Sequence, residues 1–379
     1  MIAPFQLLLP GRILFGRGEA AKAAGFAKGF GSRVLLVHGR NADRAGWLLR
    51  DLSTKGLSVT TEACAKEPDL PMLEAALTRA RAEKPDCVIG LGGGAVLDLA
   101  KALAALIPAS GTPLDHLEGV GRGLPLSIAP LPFIAVPTTA GTGSEATKNA
   151  VIDVPEHRRK VSLRDDRMLA RMAIMDPALT DNCPHGVTLA SGLDALTQVI
   201  EPYVSSRANP ATDAICRPAI PKAIEALMGL MAGENPEARD AVALASLTGG
   251  VALANSGLGA VHGLAGVIGG MTGAAHGAIC GTLLPFVIRA NLAAVSGPIA
   301  ARLAEVDHEL AKALGAKGSG ADALHRWSRE QGLPGLTELG LKPADYVQAA
   351  EAAQTASSMA ANPVKLPTEV LVGILRDAA

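Results

Sequence analysis

Aromatic residues are scarce in this 379-residue chain, at 3%, and charged residues make up only 19%. The usual share of charge in a soluble domain is about a quarter. Neither sign prevails: 35 Lys plus Arg stand against 36 Asp plus Glu, a net charge of −1. That balance excludes the basic footprint expected of a nucleic-acid or anionic-membrane binder. Cysteine is sparse and odd in number, with Cys64, Cys87, Cys183, Cys216 and Cys280 scattered without CxxC spacing. Such usage reads as reduced thiols of a cytoplasmic protein, neither a disulfide framework nor a thiolate metal site. The start, MIAPFQLLLPGRILFG, has no basic flank, and Pro10 and Gly11 interrupt its apolar run, so no signal peptide is expected. What is abundant is apolar surface: 49% hydrophobic residues, with 42 Gly and 25 Pro. This can offset chain entropy, and at about 150 residues per domain it suggests two or three domains.

The shortage of charge is local. Between Asp240 and Arg289 lie 48 residues without Asp, Glu, Lys or Arg. At about 20 residues per span this stretch could cross a bilayer twice. It holds 11 Gly, one Asn and two His, and lacks flanking basic asymmetry or an aromatic belt. Helices buried on all sides in a soluble protein are equally apolar. No membrane span is therefore expected.

Strand-like and helix-like segments alternate in the first half. Strands are expected at 33–38, 57–61, 86–91 and 133–136, and helices at 42–54, 72–82 and 96–107. This alternation predicts an α/β domain with a parallel sheet. From Thr188 onward, long Ala/Leu-rich segments predict an all-α domain. The turn-rich segment from Asp176 to Gly186 marks the boundary, giving domains 1–184 and 185–379.

Gly92-Gly93-Gly94-Ala95 lies where a strand ends and a helix begins, so bare amides there can approach a phosphate. The competing explanation is an ordinary tight strand–helix connection. A second loop, Pro137 to Thr147, also follows a strand and carries five hydroxyls in ten positions. Two such loops at the carboxyl ends of parallel strands would line one ligand-binding crevice.

Asp194 and Gln198, four apart, share one face of an expected helix. His262 and His276 sit in the uncharged stretch, each followed by Gly. Buried polar groups of this kind are either hydrogen-bonded core residues or metal ligands. Spacing alone leaves both explanations standing, and nitrogen with carboxylate suits Zn²⁺ or Fe²⁺.

Together these segments resemble the iron-containing (group III) alcohol dehydrogenases, of the dehydroquinate synthase-like superfamily. The resemblance runs through PGRILFG at 10–16, GGGAVLDLAK at 92–101, PTTAGTGSEAT at 137–147, Asp176-Pro177, GLDALT at 192–197 and the pair His262 and His276. It implies an NAD(P)-linked, metal-dependent alcohol dehydrogenase or aldehyde reductase, with reversible hydride transfer to a small carbonyl substrate. Pyrophosphate contacts are implied for Gly93, Gly94, Ala95 and Asp98. Nicotinamide-side contacts are implied for Thr138, Thr139, Thr147 and Asn149, with Lys160 a further cofactor contact. Asp194, His262 and His276 are the implied catalytic metal ligands, with Gln198 at the fourth position.

Three departures surround that site. Gln198 replaces the family's usual His, Gly266 replaces a second, non-ligand His, and Pro202 is expected to kink the helix by clashing with the carbonyl of residue 198. The metal is expected to be retained, as Fe²⁺ or Zn²⁺. With Gly266 in place, proton delivery would fall to water, the cofactor ribose or His185. Gly39 stands where NAD-preferring relatives tend to carry Asp, so no carboxylate there repels a 2′-phosphate, while Arg40 and Asn41 could donate to one. The expected cofactor is NAD(P)(H), leaning to NADP. A maleylacetate reductase-like enzyme and a catalytically weakened nucleotide-binding homologue are the alternatives. The expected partners are a small alcohol or aldehyde and further copies of the chain, as a cytoplasmic homodimer or larger homo-oligomer.

Overall fold

A computed structural model describes residues 3–379; Met1 and Ile2, the start of the segment read for a signal peptide, lie outside the described residues. The chain forms two compact units. One holds Leu8–Thr139 and Gly143–Asp181, and the other holds Asn182–Ala379 together with residues 140–142 and 3–7.

The first unit runs β1 (Ile13–Phe15), α1 (Ala23–Lys28), β2 (Arg33–Gly39), α2 (Gly46–Thr54), β3 (Ser58–Cys64), α3 (Leu70–Glu83), β4 (Cys87–Gly92), α4 (Gly94–Leu106), the single turn α5 (Pro113–His116), β5 (Phe133–Pro137), β6 (Asn149–Val154), β7 (Arg159–Arg164) and β8 (Met172–Met175). Six strands make one sheet in the order β1-β8-β5-β4-β2-β3, and every pairing in it is parallel. Alternate residues of the central strands feed two cores. Leu35, Val37, Val88 and Ala135 pack with Leu73, Leu77, Leu99 and Leu103 of α3 and α4. Val34, Leu36, Ile89, Ile134 and Val136 pack with Ala24, Ala27, Leu48 and Leu52 of α1 and α2. Coverage on both faces explains why these strands read as apolar runs.

All four expected strands form, with ends shifted by up to three residues. The expected helix 42–54 opens as a 3₁₀ turn, Ala42–Ala45, where the Asn41 side chain accepts from Asp43 N at 2.9 Å, and becomes α-helical at Gly46. Four strands went unanticipated: the three-residue β1, the short β8 and the antiparallel β6–β7 hairpin.

The second unit is all-helical: α6 (His185–Val204), α7 (Pro210–Ala232), α8 (Pro236–Ser256), α9 (Ala260–Thr272), α10 (His276–Ala294), α11 (Gly297–Ala313), α12 (Gly320–Glu330), α13 (Tyr346–Gln354) and α14 (Thr368–Asp377). Helix α6 is central and packs against α7, α8 and α10. Glycines permit the close approach. A Cβ on Gly249 of α8 would lie 2.7 Å from Gln198 Cβ, and one on Gly277 of α10 would lie 2.5 Å from the Ala190 carbonyl oxygen.

Most of the 48 uncharged residues thus fall within α8, α9 and α10 and contribute much of this core. Helix α10 is long and apolar enough to cross a membrane, yet 67% of its apolar window is buried, as in a core helix. Pro202 sits inside α6, which continues as one helix to Val204.

Candidate functional site

In the first unit, β4 runs straight into α4 through Gly92 and Gly93. A Cβ on Gly92 would stand 2.5 Å from Val96, and one on Gly93 would stand 3.1 Å from Thr139 Oγ1. A side chain at Gly92 would need Val96 to move, and one at Gly93 would press on Thr139. No side chain caps α4, so the amides of Gly94 and Ala95 open the helix unpartnered by a cap and suited to an anion. Thr138 and Thr139 follow β5 directly beside it, Thr138 N donating to Gly92 O at 3.0 Å. The structure therefore brings Gly93, Gly94, Ala95, Thr138 and Thr139 together at the carboxyl edge of adjacent strands.

Asp98 and Thr147 take a different part. Asp98 is half-buried: Oδ1 accepts from Ser144 Oγ at 2.7 Å and Oδ2 from Val151 N at 3.2 Å. Lys101, one of the largest fully buried side chains, donates to Ser144 O at 2.7 Å, Thr147 Oγ1 at 2.8 Å and Asn149 O at 2.9 Å. Burial lowers its ammonium to about 8, against the attraction of Asp98 and Glu145. Asp98, Thr147 and the Asn149 carbonyl are thus committed to a network that shapes the loop, with Lys101 at its centre. In the sequence Lys101 stands about two helical turns past Gly94, on the helix that the glycines open.

Lys160, on β7, pairs with Glu67. Gly39 ends β2, and a Cβ there would meet nothing within 4 Å. Next to it, Arg40 is exposed and makes one long contact, Nη2 to Ala65 O at 3.4 Å. Asn41 uses its side-chain oxygen on Asp43 N.

In the second unit, Asp194 and Gln198 lie on α6, His262 is in the first turn of α9 and His276 opens α10. Asp194, His262, His276 and Cys280 each offer a ligand atom, and these atoms lie within 4.8 Å of one another. His262 Nε2 is 3.4 Å from Asp194 Oδ1, and the two imidazole rings stand 5.4 Å apart. Among the described residues, Asp194 Oδ1, His262 Nε2 and Gln198 Oε1 are buried side-chain atoms without a hydrogen-bond partner. A buried polar group left this way is costly unless something coordinates it. Carboxylate, two imidazoles and a thiol are a donor set that fits a divalent transition metal.

Glu201 holds this arrangement in place. Its Oε2 lies 2.7 Å from His262 Nδ1, and its Oε1 accepts from Val261 N at 2.8 Å in the first turn of α9. The Nδ1 proton is thereby directed to a carboxylate, which leaves Nε2 facing Asp194. Burial alone would lower His262; Cys280, Asp194 and Glu201 outweigh it and hold the ring well above its ordinary range. His276 is likewise raised to about 9, burial being overcome by Cys280 and Asp194. Burial disfavours the Asp194 charge, but both histidines hold its carboxyl below the usual range.

Sequence reasoning missed two members. Glu201 follows Asp194 and Gln198 at helix spacing (194, 198, 201), and Cys280 lies one turn after His276. Cys280 lies one helical turn from His276, a spacing that a search for CxxC thiolate pairs does not register. Two further positions are now located. A Cβ on Gly266, one turn past His262, would meet nothing within 4 Å, so open space replaces a side chain there. His185 is exposed at the first residue of α6, about 14 Å along the helix axis from Asp194 at 1.5 Å per residue.

Comparison with known proteins covers both units. Residues 10–177 match the model for iron-containing alcohol dehydrogenase, and residues 188–379 match that for the C-terminal region of the Fe-containing alcohol dehydrogenase family. The chain is 31% identical over 377 residues to alcohol dehydrogenase 4 of Saccharomyces cerevisiae, spanning 98% of this chain and 97% of that protein. It is 31% identical over 386 residues to an NAD-dependent methanol dehydrogenase of Bacillus methanolicus, spanning 98% and 99%. A solved structure of 1,3-propanediol oxidoreductase superposes with a TM-score of 0.90 at 30% identity, over 100% of both chains.

Proposed function

The chain belongs to the iron-containing alcohol dehydrogenase family, and from that premise we propose a metal-dependent, NAD(P)-linked dehydrogenase of small alcohols that also reduces the corresponding aldehydes. It is an oxidoreductase acting on CH–OH groups. Asp194 Oδ1 and His262 Nε2, buried without hydrogen-bond partners beside His276, are the observation that carries the metal requirement. Asp194, His262 and His276 are the proposed catalytic ligands, with Gln198 Oε1 available at the same site. The ion, when bound, supplies Lewis acidity toward the substrate oxygen.

The chain's own residues do the rest. Glu201 fixes the His262 tautomer, and the space beside Gly266 gives a small substrate room in the second unit. In the first unit, Gly93, Gly94 and Ala95 offer the pyrophosphate a bare helix terminus, and Thr138 and Thr139 flank it. Asp98 and Thr147 shape the loop from behind, while Asn149 and Lys160 belong to the adjoining hairpin. Gly39 carries no charge to repel a 2′-phosphate and Arg40 is exposed to pair with one, which supports NADP over NAD. We place the enzyme in the cytoplasm, supported by five cysteines that form no disulfide among the described residues. A homodimer or larger assembly is supported by β1, an edge strand with exposed Phe15.

Oxidation of NADPH and NADH by a panel of short aldehydes, before and after chelation, tests this function. Turnover that is lost on chelation and restored by Zn²⁺ or Fe²⁺ is expected. Cofactor binding without turnover on any carbonyl, metal supplied, would contradict it.

A further inference from the structure

Resting on the metal reading of that site, we propose that Cys280 is itself a protein ligand, completing an Asp194, His262, His276, Cys280 donor set. Cys280 is 0% exposed and lies four residues after His276 on α10, so both side chains project from one helix face. Its Sγ is within 4.8 Å of the other three ligand atoms. Tetrahedral ligands at about 2.0–2.3 Å from a zinc ion stand about 3.5 Å apart. The existing side chains need only a small contraction to reach that spacing.

The hydrogen bonding of Cys280 sets it apart from a structural thiol. The Cys64 thiol donates to a backbone carbonyl, Lys66 O, at 3.1 Å. Cys280 Sγ has as its partner His276 Nε2 at 3.6 Å, the ring nitrogen that would itself ligate. A thiol and an imidazole facing one another inside an apolar helix pair, with Asp194 Oδ1 and His262 Nε2 unpartnered beside them, form a convergent donor set.

Gln198 is the weaker candidate for the same role. Its amide oxygen is neutral, and its backbone is held against α8, where Gly249 leaves no room for retreat. In ligation the S–H bond of Cys280 is exchanged for a sulfur–metal bond, and the proton passes to solvent. A set of two nitrogens, one oxygen and one sulfur is softer than one built from nitrogen and oxygen, and it favours Zn²⁺.

Cobalt substitution of the full-length protein tests the assignment directly. After chelation and loading with Co²⁺, wild type is expected to bind one ion per chain and show a near-ultraviolet sulfur-to-cobalt charge-transfer band. Cys183→Ala should keep that band. Cys280→Ala and the nearly isosteric Cys280→Ser should lose it while still binding Co²⁺, at least about tenfold more weakly. A band that persists in both Cys280 variants, or is absent from cobalt-loaded wild type, would overturn Cys280 ligation and leave the metal site standing. Wild type that takes up no cobalt, or no more than His262→Ala does, would overturn both.

Discussion

Glu201 Oε2 sits 2.7 Å from His262 Nδ1, and this contact decides which ring nitrogen of His262 faces Asp194. In the neutral imidazole, the tether at Nδ1 keeps the proton there and leaves Nε2 free, the form that coordinates a metal. Glu201→Gln offers His262 Nδ1 a donor or a neutral acceptor and weakens that preference. Metal affinity is expected to fall about 10- to 100-fold, the range for loss of such outer contacts. Competition with a chromophoric chelator measures it. Unchanged affinity would show that Glu201 serves only to cap α9.

Two glycines near the same site should respond oppositely to alanine. A methyl at Gly266 meets nothing within 4 Å, so Gly266→Ala should raise stability by about 0.5–1 kcal/mol through helix propensity alone. A methyl at Gly277 would stand 2.5 Å from the Ala190 carbonyl oxygen, forcing α10 away from α6. Gly277→Ala should cost about 1–3 kcal/mol and also weaken metal binding, because His276 precedes it on α10. Urea unfolding of both variants decides the signs.

Glu145 gives a pH dependence in the first unit. Burial raises its carboxyl to about 7, against the pull of Lys101, and its Oε1 has no hydrogen-bond partner. Asp98, raised by burial, and Lys101 are the charged groups of the same network. The folded pKa of Glu145 exceeds its ordinary 4.5, so between 4.5 and about 7 the native state holds the extra proton. Its contribution to stability is therefore full below 4.5 and lost as pH rises through about 7. Glu145→Gln should remove that loss and be the more stable form at pH 8, by about 1–2 kcal/mol. Thermal unfolding of both proteins across this range measures it; parallel curves would contradict the assignment.

Cofactor choice turns on Gly39. Its position accepts a side chain without contact, so Gly39→Asp should fold normally and place a carboxylate at the end of β2. The ratio of kcat/KM for NADPH over NADH should fall about tenfold, about 1.4 kcal/mol of discrimination. An unchanged ratio would remove both Gly39 and Arg40 from cofactor selection.

The parallel sheet was largely legible because β2, β4 and β5 are buried on both faces and so appear as apolar runs of Val, Leu and Ile. Strand β1 escaped because three residues carry no periodicity, and β8 because MAIM is too short to distinguish from a helical turn. The alternation in NAVIDV and RKVSLR is present, but the hydroxyl-rich and Pro-containing segments that flank it have the composition of loops. At the site, His262 and His276 stood out because nothing polar surrounds them in sequence. Glu201 did not, since one acid in an apolar helix has no visible partner until α9 folds against it. Cys280 differs: its partner His276 is only four residues away on the same helix, a spacing that no cysteine motif describes.

The most direct measurement is metal content by elemental analysis of the purified protein, wild type against His262→Ala, with activity recorded on the same samples. Wild type should carry close to one Zn²⁺ or Fe²⁺ per chain and lose activity on chelation, and His262→Ala should carry almost none. Full occupancy in His262→Ala, or wild-type turnover undiminished after complete removal of metal, would contradict a catalytic metal held by Asp194, His262 and His276.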